Sequence, residues 1–209
     1  MTLKNDSGEE PKLAKNEHIK QESNFLRGTI SEGLLDESTG ALASDDTQLT
    51  KFHGIYQQDD RDVRRERRKA KLEPAYSFMT RVRLPGGVCS PQQWLDMDEV
   101  CTKYANGTLK LTTRQAFQLH GTIKKDLKLT IRRINESLMD TVAACGDVNR
   151  NVMCNPNPYQ SKLYAEALSV AKAISDHLTP ATKAYHEIWL EDEHGEKQKV
   201  TNDPKSEDE

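Results

Sequence analysis

Three arginine-bearing segments and a handful of amides recur in this chain at spacings that suit one kind of chemistry, the holding of an anion. Arg81 and Arg83 alternate with apolar residues, Arg114 and Gln115 link two short apolar segments, Gln118 and His120 alternate in the second of these, and Asn149-Arg150-Asn151 follow later. A guanidinium stays charged at any working pH, and its planar fork meets an oxyanion two oxygens at a time. Amides and an imidazole beside it add hydrogen-bonding groups without adding permanent charge. If adjacent strands of one sheet carry these residues, they form a surface suited to a polyanion. The plainer alternative is the solvated polar face of a half-buried sheet. A lone histidine, too, is more often simply hydrogen-bonded than catalytic. No nucleophile beside its base, paired-carboxylate site or phosphate loop stands out in the sequence.

The elements that must position these residues can be read from periodicity. Residues 77–84 (SFMTRVRL) alternate as a strand, with Phe78, Thr80, Val82 and Leu84 on one face and Met79, Arg81 and Arg83 on the other. Pro85-Gly86-Gly87 ends it. Ser90-Pro91 opens a helix in cap-then-proline order, Trp94, Met97, Val100, Cys101 and Tyr104 recur at helical spacing, and Asn106-Gly107 stops it. Two short strands are expected at 108–112 (TLKLT) and 117–121 (FQLHG), then a helix over 125–144 with Leu127, Ile131, Ile134, Leu138 and Val142 as its stripe. A closing strand is expected within 145–154 (CGDVNRNVMC). The order β-α-β-β-α-β is that of the ferredoxin-like split unit, an α+β fold.

Two prolines, Pro156 and Pro158, punctuate that unit. A third helix is expected over 159–178, with Leu163, Ala167, Val170, Ala171, Ile174 and Leu178 on one side, and a further strand at 185–190 (YHEIWL). Upstream, 51–56 (KFHGIY) reads as an added or edge strand. The run 59–73, with five acids and seven bases, reads as a solvated helix laced with ion pairs. The expected organisation is a flexible N-terminal arm over 1–50, broken by at most a short helix near 23–26, and a linker strand with charged helix over 51–75. The ferredoxin-like half-domain follows over 76–154, and the truncated start of another α+β domain over 155–209.

Composition bounds the function. Of 209 residues, 35% are hydrophobic and 30% charged, and the net charge of −3 gives no reason to expect a nucleic-acid or membrane partner. No apolar run approaches the roughly 18 residues that span a bilayer, and no apolar signal region opens the chain, so a cytoplasmic protein is expected. Cys89, Cys101, Cys145 and Cys154 are widely spaced, without a C-x-x-C or a neighbouring histidine, so they read as reduced thiols and no metal site is assigned.

Four longer segments carry a resemblance. Residues 52–62 (FHGIYQQDDRD), 83–87 (RLPGG), 111–121 (LTTRQAFQLHG) and 146–152 (GDVNRNV) together resemble the hemoprotein subunits of assimilatory sulfite reductases, in that family's order and spacing. The resemblance covers about residues 24–191. It implies a siroheme coupled to a 4Fe-4S cluster, six-electron reduction of sulfite to sulfide, and a flavoprotein alpha subunit as the NADPH-linked electron donor. It implies that Arg81 and Arg150 face the bound anion, and that Lys110, Thr112, Thr113, Arg114, Gln118 and His120 hold siroheme carboxylates. Lys110 stands where many relatives have an arginine, which weakens that one assignment. The cysteines that ligate the cluster in the family are not among the four here, so this chain is expected to be a fragment, inactive alone. A ferredoxin-dependent sulfite or nitrite reductase is the nearer alternative. From another class, the competing reading is a ferredoxin-like nucleic-acid-binding module, for which exposed aromatics on the central strands would be needed.

Overall fold

The computed structural model describes residues 13–142 and 148–180. Helices α1 (Lys15–Glu22), α2 (Ile30–Leu35) and α3 (Asp46–Phe52) lead into strand β1 (Ile55–Asp59), helix α4 (Arg64–Lys69) and strand β2 (Tyr76–Val82). A 3-10 turn at Pro85–Gly87 precedes helix α5 (Pro91–Tyr104), strands β3 (Lys110–Leu111) and β4 (Phe117–Thr122), and helices α6 (Lys124–Glu136) and α7 (Lys162–His177). The four strands form one antiparallel sheet in the order β1-β2-β4-β3. From β2 onward the order of elements, and the place of each strand in the sheet, are those of the ferredoxin-like unit.

The closing strand is where expectation and structure part. Residues 148–154 form no strand, and the position beside β2 is taken by β1, which comes before the unit in the chain. Two amide side chains show why. Asn151 pairs with the backbone of Leu84, accepting from its N–H at 2.8 Å and donating to its carbonyl at 2.9 Å. Gln115 does the same to Cys154, donating to its carbonyl at 2.7 Å and accepting from its N–H at 3.2 Å. The segment is thus stapled by side chains where a strand would have used a ladder of backbone bonds.

The inner face of the sheet is apolar and closes on α5 and α6. Phe78, Val82, Phe117 and Leu119 pack with Met97, Val100, Leu127, Ile131 and Ile134, all buried in one core that also takes in Ile30, Leu49 and Ile55. Helix α5 starts as its sequence dictates, with Ser90 and Gln93 forming a reciprocal capping box and Pro91 in the first turn. Trp94, expected in the buried stripe, stays partly outside and meets the edge of Phe117 at 5.7 Å between ring centroids.

Helix α6 is shorter than expected, ending at Glu136 rather than near residue 144. Leu138 turns left-handed at φ 59°, its N–H donates to Asn135 and the Met139 N–H donates to Ile134, a Schellman ending. Such a cap is hard to foresee, because glycine or asparagine usually occupies that place. Leu138 consequently points to solvent, and Met139 is buried in its stead. Upstream, the expected arm contains α1, α2 and α3, while Asn24, Phe25 and Leu26 form a left-handed turn where a short helix was expected. Of the run 59–73 only Arg64–Lys69 is helical; α4 buries nothing, as expected of a solvated helix, but its pairing of Arg64 with Asp59 through two bonds of 2.6 Å joins it to β1 and does not follow i,i+4 spacing.

The expected face of α7 is also corrected. Its buried residues are Leu168, Ala171 and Ser175, whereas Leu163, Val170, Ile174 and Leu178 are exposed. Gly86 lets the helix approach: at φ 69° it has a backbone conformation that side chains resist, and a Cβ there would stand 2.4 Å from Leu168 Cδ1. Cys145 and the strand expected at 185–190 lie outside the described residues.

Candidate functional site

The outer face of the sheet carries the polar residues. Arg81 on β2 lies directly opposite Gln118 on β4, and Gln118 in turn lies opposite Lys110 on β3. A row of cation, amide and cation therefore runs across three strands. Gly121, at φ 82°, sits in a register shift between β2 and β4, so that Thr122 returns to the buried face after two half-buried residues, His120 and Gly121.

Beside this row is a cavity of about 330 Å³, lined by Arg81, Lys110, Thr112, Thr113, Arg114, Gln118 and Arg150 together with Leu111, Ala116 and Asn151. Seven of the eight residues expected in the site thus line one cavity. His120 does not line it, but stands two residues along β4 from Gln118, half-buried. Four cationic side chains and no carboxylate face this space. Burial, and then the neighbouring charge of Arg150, lower the pKa of Arg81 from the usual arginine value. Burial, then Lys110 and Arg81, lower that of His120, which favours its neutral imidazole. Uncompensated positive charge of this kind is relieved by an anion.

The loop between β3 and β4 is built by its own side chains. The Thr112 hydroxyl accepts from the N–H groups of Arg114 at 3.2 Å and Ala116 at 3.1 Å, holding a turn in which Gln115 takes φ 55°. The hydroxyl keeps its own proton to donate. Asn151, only 2% exposed, also donates to the carbonyls of Arg114 at 2.9 Å and Gln115 at 3.1 Å. It thereby fixes the loop that carries Arg114 against the segment that carries Arg150. Reasoning from residue types had not singled out Asn151 or Gln115 as positioning groups, although both lie inside the segments that carry the resemblance.

Arg83 leaves the site altogether. Its guanidinium donates to Asp140 through Nη2 at 2.6 Å and Nε at 3.0 Å, and through Nη1 to the hydroxyls of Ser175 and Thr179, each at 2.9 Å. Burial works against its charge, yet Asp140 raises its pKa overall. Arg83 fastens the end of α7 to the sheet and does not line the cavity. Among the described residues no group of His, Cys, Asp or Glu could hold a metal ion, and burial pushes the thiols of Cys89 and Cys101 up.

Known proteins resemble this chain in sequence and in fold. Residues 71–137 match the family model described as the nitrite/sulfite reductase ferredoxin-like half domain. The chain is 65% identical over 182 residues to the sulfite reductase (NADPH) hemoprotein beta-component of Staphylococcus haemolyticus, covering 87% of this chain and 32% of that protein. It is 66% identical over 177 residues to the protein of the same name from Geobacillus kaustophilus, covering 85% and 31%. To the sulfite reductase (NADPH) subunit beta of Schizosaccharomyces pombe it is 59% identical over 196 residues, 93% of this chain and 13% of that one. Among solved structures, the NirA protein of Mycobacterium tuberculosis is similar at a TM-score of 0.56 and 26% identity, covering 68% of this chain and 27% of that one. The chain spans about a third of the length of the bacterial relatives named here. Over the residues it spans, this chain belongs to the nitrite and sulfite reductase family, and the strands that carry Arg81, Lys110 and Gln118 to the cavity lie within the segment that matches its ferredoxin-like half domain.

Proposed function

We propose that this chain supplies the anion-holding wall of a sulfite reductase hemoprotein, which reduces sulfite to sulfide with six electrons in sulfate assimilation and cysteine biosynthesis. The observation that carries the reading is the cavity faced by Arg81, Lys110, Arg114 and Arg150 without a carboxylate. Sulfite is a compact anion with no apolar surface, so charge and hydrogen bonds must supply its affinity. Arg81 and Arg150 are the groups that face it, and they stabilise the negative charge that persists through its reduction.

The lining also fits siroheme, whose eight carboxylates would be very costly to bury without cations. Of the residues that the resemblance assigns to siroheme carboxylates, Lys110, Thr112, Thr113 and Arg114 line the cavity and would hold them, whereas Gln118 faces Arg81 and His120 stands outside the lining. Siroheme with its 4Fe-4S cluster supplies the electrons when bound. The chain's own residues attract the anion, orient it and exclude competing groups. On this reading the segment from 155 onward leads into a siroheme and iron–sulfur domain, and a flavoprotein alpha subunit in the cytoplasm passes electrons from NADPH. A nucleic-acid-binding role lacks the stacking aromatics it requires, because Phe117 is buried in the core.

The test is sulfite reduction by full-length protein with siroheme loaded. Arg81→Ala and Arg150→Ala each lower turnover by roughly two to three orders of magnitude, the scale for losing one preorganised charge-stabilising donor. Unchanged turnover in both variants at full heme content would overturn the assignment.

A further inference from the structure

We propose that Gln118 and Tyr56 are positioning residues that aim the Arg81 guanidinium at the anion, Gln118 by hydrogen bonds and Tyr56 by its ring; this rests on the sulfite-binding reading above. With its amide set so that both oxygen and nitrogen are satisfied, Gln118 accepts from Arg81 Nε at 2.9 Å and from Nη2 at 3.0 Å through one oxygen. The other side of that amide faces His120 Nε2 at 3.4 Å. A neutral imidazole can accept there from the amide nitrogen, which fixes the sense of the amide and keeps its oxygen toward Arg81. On the opposite side, the Arg81 guanidinium carbon lies 5.6 Å from the centre of the Tyr56 ring, within cation–π range.

Arg81 differs from the arginines of this chain that a carboxylate pairs. Arg64 and Arg83 are each neutralised by a carboxylate, Asp59 and Asp140. Arg81 is held by a neutral amide and a ring, so its direction is set while its full charge remains. No described residue accepts from its Nη1, which leaves that nitrogen for a ligand in the cavity. A carboxylate at position 118 would fix Arg81 as firmly but cancel the charge that attracts the anion. Gln118 therefore serves the substrate arginine, which is a different role from holding a cofactor carboxylate.

The experiment separates these roles in the siroheme-loaded full-length protein, with the sulfite dissociation constant read from the heme absorbance change and heme content read independently. Gln118→Leu raises the dissociation constant about ten-fold or more, as expected for losing hydrogen bonds to a charged group, while heme content stays at the wild-type level. Adding Gln118→Leu to Arg81→Ala causes no further weakening, because the group it positions is gone. Tyr56→Leu weakens binding in the same Arg81-dependent way, whereas Tyr56→Phe, which keeps the ring, binds as the wild type does. If Gln118→Leu loses heme instead, Gln118 holds the cofactor and its part in the proposal fails. If it fails to fold, the Tyr56 pair decides: equal binding by Tyr56→Leu and Tyr56→Phe overturns the positioning of Arg81. Weakened binding in Arg81→Ala with unchanged binding in Gln118→Leu and Tyr56→Leu sinks the positioning alone. Unchanged binding in Arg81→Ala sinks the sulfite-binding reading beneath it.

Discussion

At the scale of single residues, the arginines of this chain divide by what satisfies them. Arg83 meets a carboxylate and two hydroxyls, and Arg81 meets an amide and an aromatic ring. Arg114 is exposed at the cavity edge on a loop held by Thr112 and Asn151. That exposure sets its expected role. On the proposed reading, Arg114 is placed at the rim to meet the carboxylates of a large cofactor, and the half-buried Arg81 to face a small anion. Arg114→Ala is therefore expected to lower siroheme content in purified full-length protein severalfold, with activity per bound heme nearly kept. Heme absorbance per protein, set beside turnover, checks this. Full occupancy with lost turnover would move Arg114 into the group that acts on sulfite.

At the scale of elements, two joints decide where helices lie. The first is the Schellman ending of α6, where Leu138 is 83% exposed and adopts φ 59°. A left-handed residue with a side chain costs about 1–2 kcal/mol, and the extra freedom of glycine in the unfolded chain returns about 0.5–1 kcal/mol of that. Leu138→Gly is thus expected to stabilise the protein by about 0.5–1 kcal/mol, seen as a higher midpoint in urea. The second joint is Arg83, whose side chain is 14% exposed against 24% for Asp140. Removing the arginine leaves Asp140 and two hydroxyls without their donor and frees the end of α7. Arg83→Ala is expected to cost about 2–4 kcal/mol. The Asp140→Ala variant and the double variant complete a cycle, and strongly sub-additive losses are the expected result. Additive losses would mean that the pair does not act as a unit.

At the scale of the whole molecule, charge is separated by face. The net charge is −3, yet the outer face of the sheet gathers cations around one cavity while the inner face is uncharged and mostly apolar. This separation makes stability depend on pH in a definite direction. The pKa of His120 in the folded protein is lowered from its ordinary value of 6.5 by burial, Lys110 and Arg81. Below that ordinary value the unfolded chain binds a proton that the folded chain does not, so folding stability falls as pH drops through this window and levels off once the folded histidine also titrates. The His120→Gln variant should lose less stability than the wild type between pH 7 and pH 5, as read from urea midpoints. An identical pH dependence in the two proteins would exclude His120 as the source.

Residue types and periodicity alone made the core and the polar outer face legible, whereas Lys110, Thr112, Thr113 and the role expected of each site residue came only from the resemblance. The alternation of Phe78, Thr80 and Val82, the helical spacing of Met97, Val100 and Cys101, and the cap-then-proline pair Ser90 and Pro91 are local patterns, and each appears in the structure where its spacing places it. Arg81 and Gln118 could be put on one surface because strand alternation fixes which face a residue takes. Tertiary structure decided the rest, since those choices depend on partners distant in the chain. Which strand flanks β2 was settled when Asn151 and Gln115 satisfied backbone groups that a closing strand would otherwise have paired. Two arginines two positions apart, one on β2 and one just past its end, received opposite fates, because Asp140 lies within reach of Arg83 and a neutral amide within reach of Arg81. Which face of α7 is buried followed from Gly86 admitting Leu168, a contact between residues 82 apart that no periodicity within the helix could encode.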